Sequence, residues 1–137
     1  MTGLVVCVAV LAAATLLGLL HRRQNGRIRV RGKDGGHRLT ATEIGAPLGE
    51  RATLVQFSSA FCAPCRATRR VLDEIAGMVD GVAHVEIDAE AHLGLVRRLG
   101  VVKTPTVLVL DGDGAVVRRA AGQPRKADVI AALGAAV

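Results

Sequence analysis

The chain has 137 residues, half of them apolar, and a formal net charge of +6. This length allows one domain with an appended segment, and the apolar share is sufficient for a hydrophobic core. The excess positive charge lies within residues 21–38, whereas the chain from residue 39 onward has as many acidic as basic residues. A nucleic-acid-binding protein would spread basic residues over a folded face among stacking aromatics, so nucleic acid is not expected as a partner.

The first element in chain order is an uncharged apolar run, Gly3–Leu20. As an α-helix, this run would be about 27 Å long, close to the hydrocarbon thickness of a bilayer. A helix that is apolar on every side does not suit the core of a small domain, so the run predicts a single transmembrane helix in contact with membrane lipid. A cleaved signal peptide is less favoured, because no basic residue precedes the run and no small-x-small site follows Leu20. We therefore assign residues 1–24 to a membrane anchor with a basic flank.

Charge around this helix predicts its orientation. No Lys or Arg precedes the apolar run and several follow it closely, so the positive-inside rule places the folded domain in the cytoplasm; the extracytoplasmic alternative stays open. The basic run is also expected to contact anionic headgroups. Residues 25–38 are interpreted as a basic linker with a short strand at residues 28–31 and a turn at residues 32–36.

Residues 39–137 have the pattern of one α/β domain. Strands are predicted at residues 53–58, 82–88, 106–110 and 115–119, and helices at residues 64–78, 91–99 and 126–133. This order predicts a mixed sheet with helices on both faces. Asp111 and Asp113 are attributed to a tight turn, because Gly122 stands where a calcium loop needs an acidic residue.

Several interpretations compete for Cys62 and Cys65 in the stretch FCAPC. A closed zinc site needs four ligands, and the sequence has no second C-x-x-C and no closely spaced His pair, since His84 and His92 are eight residues apart. Copper chaperones use a lone C-x-x-C, but on a flexible loop without a proline such as Pro64. Two unrelated buried cysteines are not expected between a predicted strand and a predicted helix. A redox-active pair is therefore favoured.

Local physics supports the redox interpretation. Cys62 precedes a predicted helix, where unpaired N–H groups and the helix dipole favour its thiolate. Pro64 suits the first helical turn and stiffens the loop, so that Cys65 stays within bonding reach. Arg66 and Arg69 are expected to add positive charge nearby. A thiolate at Cys62 would form mixed disulfides that Cys65 resolves.

Residues 39–137 resemble the thioredoxin family in several separate pieces. These are LVQF, FCAPC, VLDEIA, VEID and GVVKTPTVLVLDGDG, followed by a glycine at position 122. With the apolar run ahead of them, the chain is similar to a membrane-anchored member of that family. The resemblance implies an α/β thioredoxin fold, a mixed central sheet with helices on both faces, preceded by one transmembrane helix.

The resemblance also implies roles for individual residues. Cys62 matches the family's nucleophile and Cys65 its resolving thiol, joined in a redox disulfide. Thr104 and Pro105 match the position of a cis-proline, where the backbone turns outward and can pair with an extended substrate. The implied substrate groove comprises Phe61, Ala63, Pro64, Thr104, Pro105 and Gly122.

The sequence departs from the family's usual pattern at several positions. Phe61 replaces a tryptophan, Ala63 a glycine and Arg70 a helix-kinking proline. Gln56 and His84 stand where reducing members often bury an aspartate paired with a lysine. Because Gln56 cannot accept a proton, we consider two roles for His84: a base that serves Cys65 through Gln56, or a neutral core histidine.

The sequence therefore predicts a membrane-tethered thiol-disulfide oxidoreductase that needs no bound cofactor and has no metal site. Its expected partners are protein thiols and disulfides and a redox protein that donates or accepts electrons. The alternative is a binding module of the same fold, which holds a cysteine-bearing client or transfers copper with little turnover.

Overall fold

The computed structural model describes residues 1–30 and 36–137. Its helices and strands are, in chain order, α1 (Thr2–Gln24), β1 (Ile28–Val30), α2 (Ala41–Ile44), β2 (Ala52–Ser58), α3 (Ala63–Met78), β3 (Val82–Asp88), α4 (Leu93–Leu99), β4 (Thr106–Asp111), β5 (Val116–Ala121) and α5 (Lys126–Ala136). The turn predicted at residues 32–36 and the end of the strand predicted at residues 28–31 fall mostly on residues 31–35, outside the described part.

Helix α1 covers the whole apolar run and leaves none of its residues buried. Within the described residues, it is the one helix long and apolar enough to cross a membrane, and a signal sequence near an N-terminus meets the same criteria. Its last turn carries His21, Arg22 and Arg23, and the N–H of Asn25 bonds to the carbonyl oxygen of His21.

The strands form a mixed sheet in the order β1-β5-β4-β2-β3. Strands β2 and β3 are parallel, and the other neighbouring pairs are antiparallel. The short strand β1 lies at the β5 edge, with Ile28 opposite Ala120. The chain therefore passes from α1 directly into the outer edge of the folded domain.

Helices cover both faces of the sheet, as the sequence predicts. Because side chains alternate along a strand, Leu54 faces Leu72 and Ile75 of α3 and Val129 of α5, all fully buried. The other face holds a second apolar cluster, whose members include Ile44, Val55, Phe57, Leu99, Leu108 and Leu110. The domain thus has a helix–sheet–helix arrangement with two cores.

The structure adds one helix to the sequence prediction and moves several predicted boundaries by one to three residues. Residues 40–44, too short to assign from sequence, form α2 because Thr40 and Glu43 make a reciprocal capping box. Helix α4 begins at Leu93 instead of residue 91. Strand β5 begins at Val116 instead of residue 115, because the Asp111 carboxylate accepts the N–H groups of Asp113 and Ala115 within the turn.

Candidate active site

The predicted site residues outside the strands lie at one edge of the sheet, on loops and on the first turn of α3. Phe57 pairs with Thr106, and Thr106 pairs with Ala121. Because β4 is antiparallel to both β2 and β5, the loop after β2, the loop before β4 and the loop after β5 meet at this edge. The first loop ends at Cys62 and leads into the first turn of α3, which carries Cys65. The second loop carries Thr104 and Pro105, and the third carries Gly122.

Cys62 and Cys65 are joined by a disulfide with an S–S distance of 2.06 Å and a Cα–Cα distance of 5.2 Å. The two sulfurs differ in environment, since Cys62 is half-buried whereas the exposed fraction of Cys65 is 2%. Solvent and incoming groups therefore reach Cys62 more readily than Cys65.

The position of Cys62 at the start of α3 gives its sulfur a backbone hydrogen-bond donor. Cys62 is the N-cap residue, and its Sγ accepts the N–H of Cys65 at 3.2 Å. Pro64 lies in the first turn, where its missing N–H is not needed. These contacts and the helix dipole favour negative charge on the Cys62 sulfur once the disulfide is open.

The expected contribution of Arg69 to this charge is reduced by an ion pair. Arg69 makes two hydrogen bonds to the Glu86 carboxylate, which raise the pKa of the Arg69 guanidinium. Arg66 is exposed. The Glu86 carboxylate thus offsets much of the positive potential that Arg69 would otherwise add near the disulfide.

Phe61 projects fully into solvent immediately before Cys62, with a relative exposure of 103%. Its φ angle is 59°, in the left-handed region that non-glycine residues rarely occupy. An exposed aromatic side chain is held on a strained backbone, a combination found at functional sites more than elsewhere. Ala63 and Pro64, which follow on the same surface, are also exposed.

The Thr104–Pro105 peptide bond is cis. A hydrogen bond of 2.7 Å joins the hydroxyls of Thr104 and Ser59, and Thr106 Oγ1 donates to the Lys103 carbonyl oxygen at 2.6 Å. The cysteine loop and the proline loop are therefore tied together directly. Sequence reasoning missed Ser59, because its partner is distant along the chain.

Gly122 lies beside the proline loop, and its N–H donates to the Pro105 carbonyl oxygen at 2.7 Å. Its φ angle is +97°, and a Cβ placed there would approach Oδ1 of Asn25 to 2.1 Å. In this conformation, the chain's own Asn25 occupies the space next to Gly122. The substrate contact predicted for Gly122 stays a prediction.

A chain of polar side chains runs behind the disulfide from the core to the surface. Nε2 of Gln56 donates to the Cys65 carbonyl oxygen at 2.8 Å and to Ser58 Oγ at 3.0 Å. This orientation turns Gln56 Oε1 toward Nε2 of His84, at 3.1 Å, and Nδ1 of His84 lies 2.6 Å from Asp73 Oδ1. Gln56 is fully buried, His84 is 6% exposed at its side chain, and Asp73 is 62% exposed.

The structure offers no alternative site for a metal within its described residues. No three His, Cys, Asp or Glu side chains come close enough together there to hold an ion.

Comparisons with known proteins agree with this geometry. The thioredoxin family model matches residues 41–135. A thioredoxin of Mycolicibacterium smegmatis is 36% identical over 83 residues, which cover 58% of this chain and 73% of the relative. A thioredoxin of Bacillus subtilis (strain 168) is 33% identical over 90 residues, covering 64% and 86%.

Solved structures give the same fold. A mutant thioredoxin from Halobacterium salinarum NRC-1 superposes with a TM-score of 0.57 at 20% identity, over 64% of this chain and 75% of that one. Chloroplastic thioredoxin z gives a TM-score of 0.55 at 26% identity, over 63% and 78%. With the Cys62–Cys65 disulfide in place, the family match and these relatives establish that the chain belongs to the thioredoxin family and is a thiol-disulfide oxidoreductase.

Proposed function

We propose that this oxidoreductase is tethered to a membrane by α1 and uses Cys62 as its nucleophile and Cys65 as its resolving thiol. In this proposal residues 1–24 are the anchor, residues 25–38 the basic linker and residues 39–137 the thioredoxin-like domain. The roles of nucleophile and resolving thiol are supported by the difference in exposure between the two cysteines of the disulfide.

In the reducing direction, the Cys62 thiolate attacks one sulfur of a client disulfide and forms a mixed disulfide, while the other client sulfur leaves as a thiolate and takes up a proton. Cys65 then attacks Cys62 Sγ, which releases the second client thiol and forms the Cys62–Cys65 disulfide. The client gains two electrons and two protons, and the enzyme loses them. The oxidising direction is the reverse.

The residues around Cys62 are suited to hold an extended client segment. We propose that the backbone of Thr104 pairs with the client beside Pro105, while Phe61 supplies an apolar contact. Ala63 and Pro64 extend the same surface, and Gly122 borders it.

We propose that Gln56 and His84 are positioning residues for Cys65. The hydrogen bonds run from His84 through Gln56 to the carbonyl oxygen of Cys65, so they act on its backbone and not on its sulfur. Both partners of the His84 ring, Gln56 Oε1 and the Asp73 carboxylate, are acceptors, so both hydrogen bonds form only when each ring nitrogen carries a hydrogen.

The partners of this enzyme are protein thiols and disulfides and a redox protein that exchanges electrons with it, as for thioredoxins in general. The basic residues that follow α1 favour a cytoplasmic domain, with an extracytoplasmic domain as the alternative. A topology reporter fused after Val137 distinguishes the two.

Turnover of the insulin disulfides by the full chain in vesicles tests the enzymatic proposal. We expect activity that is lost in Cys62→Ser and kept in the matched control Cys7→Ser, since Cys7 is free and lies in α1. Stoichiometric retention of Cu(I) without turnover would instead support the binding module.

A further inference from the structure

The end of the membrane helix contacts the loops that border the proposed groove. The N–H of Gly26 donates to the Ala121 carbonyl oxygen at 2.8 Å, and Nζ of Lys103 donates to Asn25 Oδ1. Asn25 also packs against Gly122. From there β1 continues along β5, away from the disulfide. The anchor therefore joins the domain at the edge that carries the active site.

This attachment fixes the distance between the groove and the bilayer, on the proposal that α1 spans a membrane. Asn25 follows Leu20, the last residue of the apolar run, by about 8 Å along a helix axis. The headgroup layer on each side of a bilayer is about 5–8 Å thick. Lys103 and Gly122, which contact Asn25, consequently lie at the outer boundary of the headgroups.

The same region is strongly basic. Three clefts surround residues 25–27, and basic residues of both the anchor and the folded domain line them: Arg22, Arg23, Arg27, Lys103, Arg118, Arg119 and Arg125. We call these residues the cationic surface. Asp128 is the one carboxylate among the described lining residues, and it pairs with Arg125. The domain thus adds its own positive charge to that of the linker.

We infer that the cationic surface docks on the anionic phospholipid headgroups of the membrane that holds α1. The position of the cationic surface identifies lipid headgroups as its partner. Helix α1 brings these residues to the headgroup layer, where negative lipid charge attracts Lys and Arg within a Debye length. Docking holds the edge with Thr104 and Pro105 at the membrane surface. Clients are then restricted to proteins whose cysteines lie close to the membrane plane.

A single tryptophan tests this orientation, because the natural chain contains neither Trp nor Tyr. Val102→Trp places the probe beside Lys103, at a position 88% exposed, and Met78→Trp is the matched control at the far end of α3, 55% exposed. Each full-length variant is reconstituted in vesicles of phosphatidylglycerol and phosphatidylcholine, and in phosphatidylcholine alone. Quenching by a lipid spin-labelled on its headgroup is measured.

We expect headgroup quenching of Val102→Trp to exceed that of Met78→Trp in the anionic vesicles and to fall in neutral vesicles. Lys103→Gln and Arg125→Gln are then added to the Val102→Trp variant. The ratio of docked to undocked protein, obtained from the quenching, should fall about fivefold for each charge removed. Arg51→Gln with Arg70→Gln removes the same charge outside the clefts and should have little effect. Equal quenching of the two probes, or equal quenching of Val102→Trp in anionic and neutral vesicles, overturns the inference.

Flotation of the vesicles distinguishes a failure of docking from a failure of the proposed anchoring. A chain that floats but shows equal quenching is anchored without docking. A chain that does not float lacks the anchor, and both proposals then fail. Insulin turnover by each tryptophan variant establishes that it is folded.

Discussion

Nε2 of His84 lies 3.1 Å from Oε1 of Gln56, whose amide nitrogen in turn holds the carbonyl oxygen of Cys65. This pair replaces the buried aspartate and its lysine partner found in many thioredoxins. The acidic member of that pair becomes an amide, which cannot take up a proton, and the cationic member becomes a histidine. With these two residues, His84 is linked to Cys65 through the Gln56 amide.

Replacing His84 with Gln should weaken the support that Gln56 gives to the Cys65 carbonyl oxygen. We expect the Cys62–Cys65 disulfide of His84→Gln to be reduced more slowly by a small dithiol than that of the wild type. On the proposal that His84 acts through Gln56, this loss should be smaller than the roughly 100-fold effect of a direct proton donor. Reduction rates of the two proteins check both points, and an unaltered rate refutes the positioning role.

Asp73→Asn provides a graded comparison. It weakens the outer hydrogen bond of His84 but keeps the buried contact with Gln56. Asp73 is mostly exposed, so its contact with His84 contributes little free energy. We expect a smaller loss of reduction rate than in His84→Gln. A loss as large as that of His84→Gln would mean that Asp73, and not the ring alone, carries the effect.

Phe61→Gly should separate stability from client binding. Phe61 has a positive φ, and its side chain is fully exposed, so its removal uncovers no buried surface. Glycine relieves the backbone strain, so the free energy of unfolding should stay level or rise by up to about 1 kcal/mol. Turnover of a protein disulfide should nevertheless fall, whereas reduction of a small aromatic disulfide should fall less.

Chemical denaturation and the two turnover assays check the Phe61 prediction. Phe61→Trp serves as the control, since it keeps an aromatic surface at the same position. Equal activity of Phe61→Gly and wild type on the protein substrate would remove Phe61 from the groove.

Much of the fold follows from local patterns. The strand at residues 82–88 alternates in polarity and forms as predicted, and α3 follows the helical spacing of Leu72 and Ile75. Local patterns do not predict which strands lie next to each other in the sheet. The position of β1 beside β5 depends on contacts of Ile28 with Ala120, more than ninety residues away.

The same limit applies to the site. Cys62, Cys65 and Pro105 belong to short motifs that sequence alone identifies. Ser59 and Asp73 do not, because their contacts with Thr104 and His84 depend on how β2, α3 and β3 are brought together. A residue that acts only through a distant partner, and that matches no position of a family motif, leaves no signal in a single sequence.

Cys65→Ser should accumulate covalent client complexes. With Cys62 intact, the mixed disulfide forms but no second thiol resolves it. Cys62→Ser should form none, since Cys65 is 2% exposed. Both variants are made with Cys7→Ser so that α1 contributes no thiol. Non-reducing electrophoresis after exposure to a protein disulfide shows the complexes, and equal trapping by the two variants would contradict the assigned roles.

Glu43 should link stability to pH through α2. Its carboxylate accepts from Arg98 and from the N–H of Thr40, and these bonds lower the pKa of Glu43 from its ordinary value of 4.5. The stabilisation is therefore complete above that ordinary value and is lost as the pH falls through the lower, folded-state pKa. Glu43→Gln should cost about 1 kcal/mol of unfolding free energy at pH 7 and progressively less at acidic pH. Thr40→Ala removes the hydroxyl that accepts the Glu43 N–H. Because this hydroxyl does not titrate, the loss of unfolding free energy in Thr40→Ala should persist at all pH values. Urea denaturation of the two variants at pH 7 and pH 3 decides the matter, because a Glu43→Gln deficit that is the same at both pH values would exclude the carboxylate as its source.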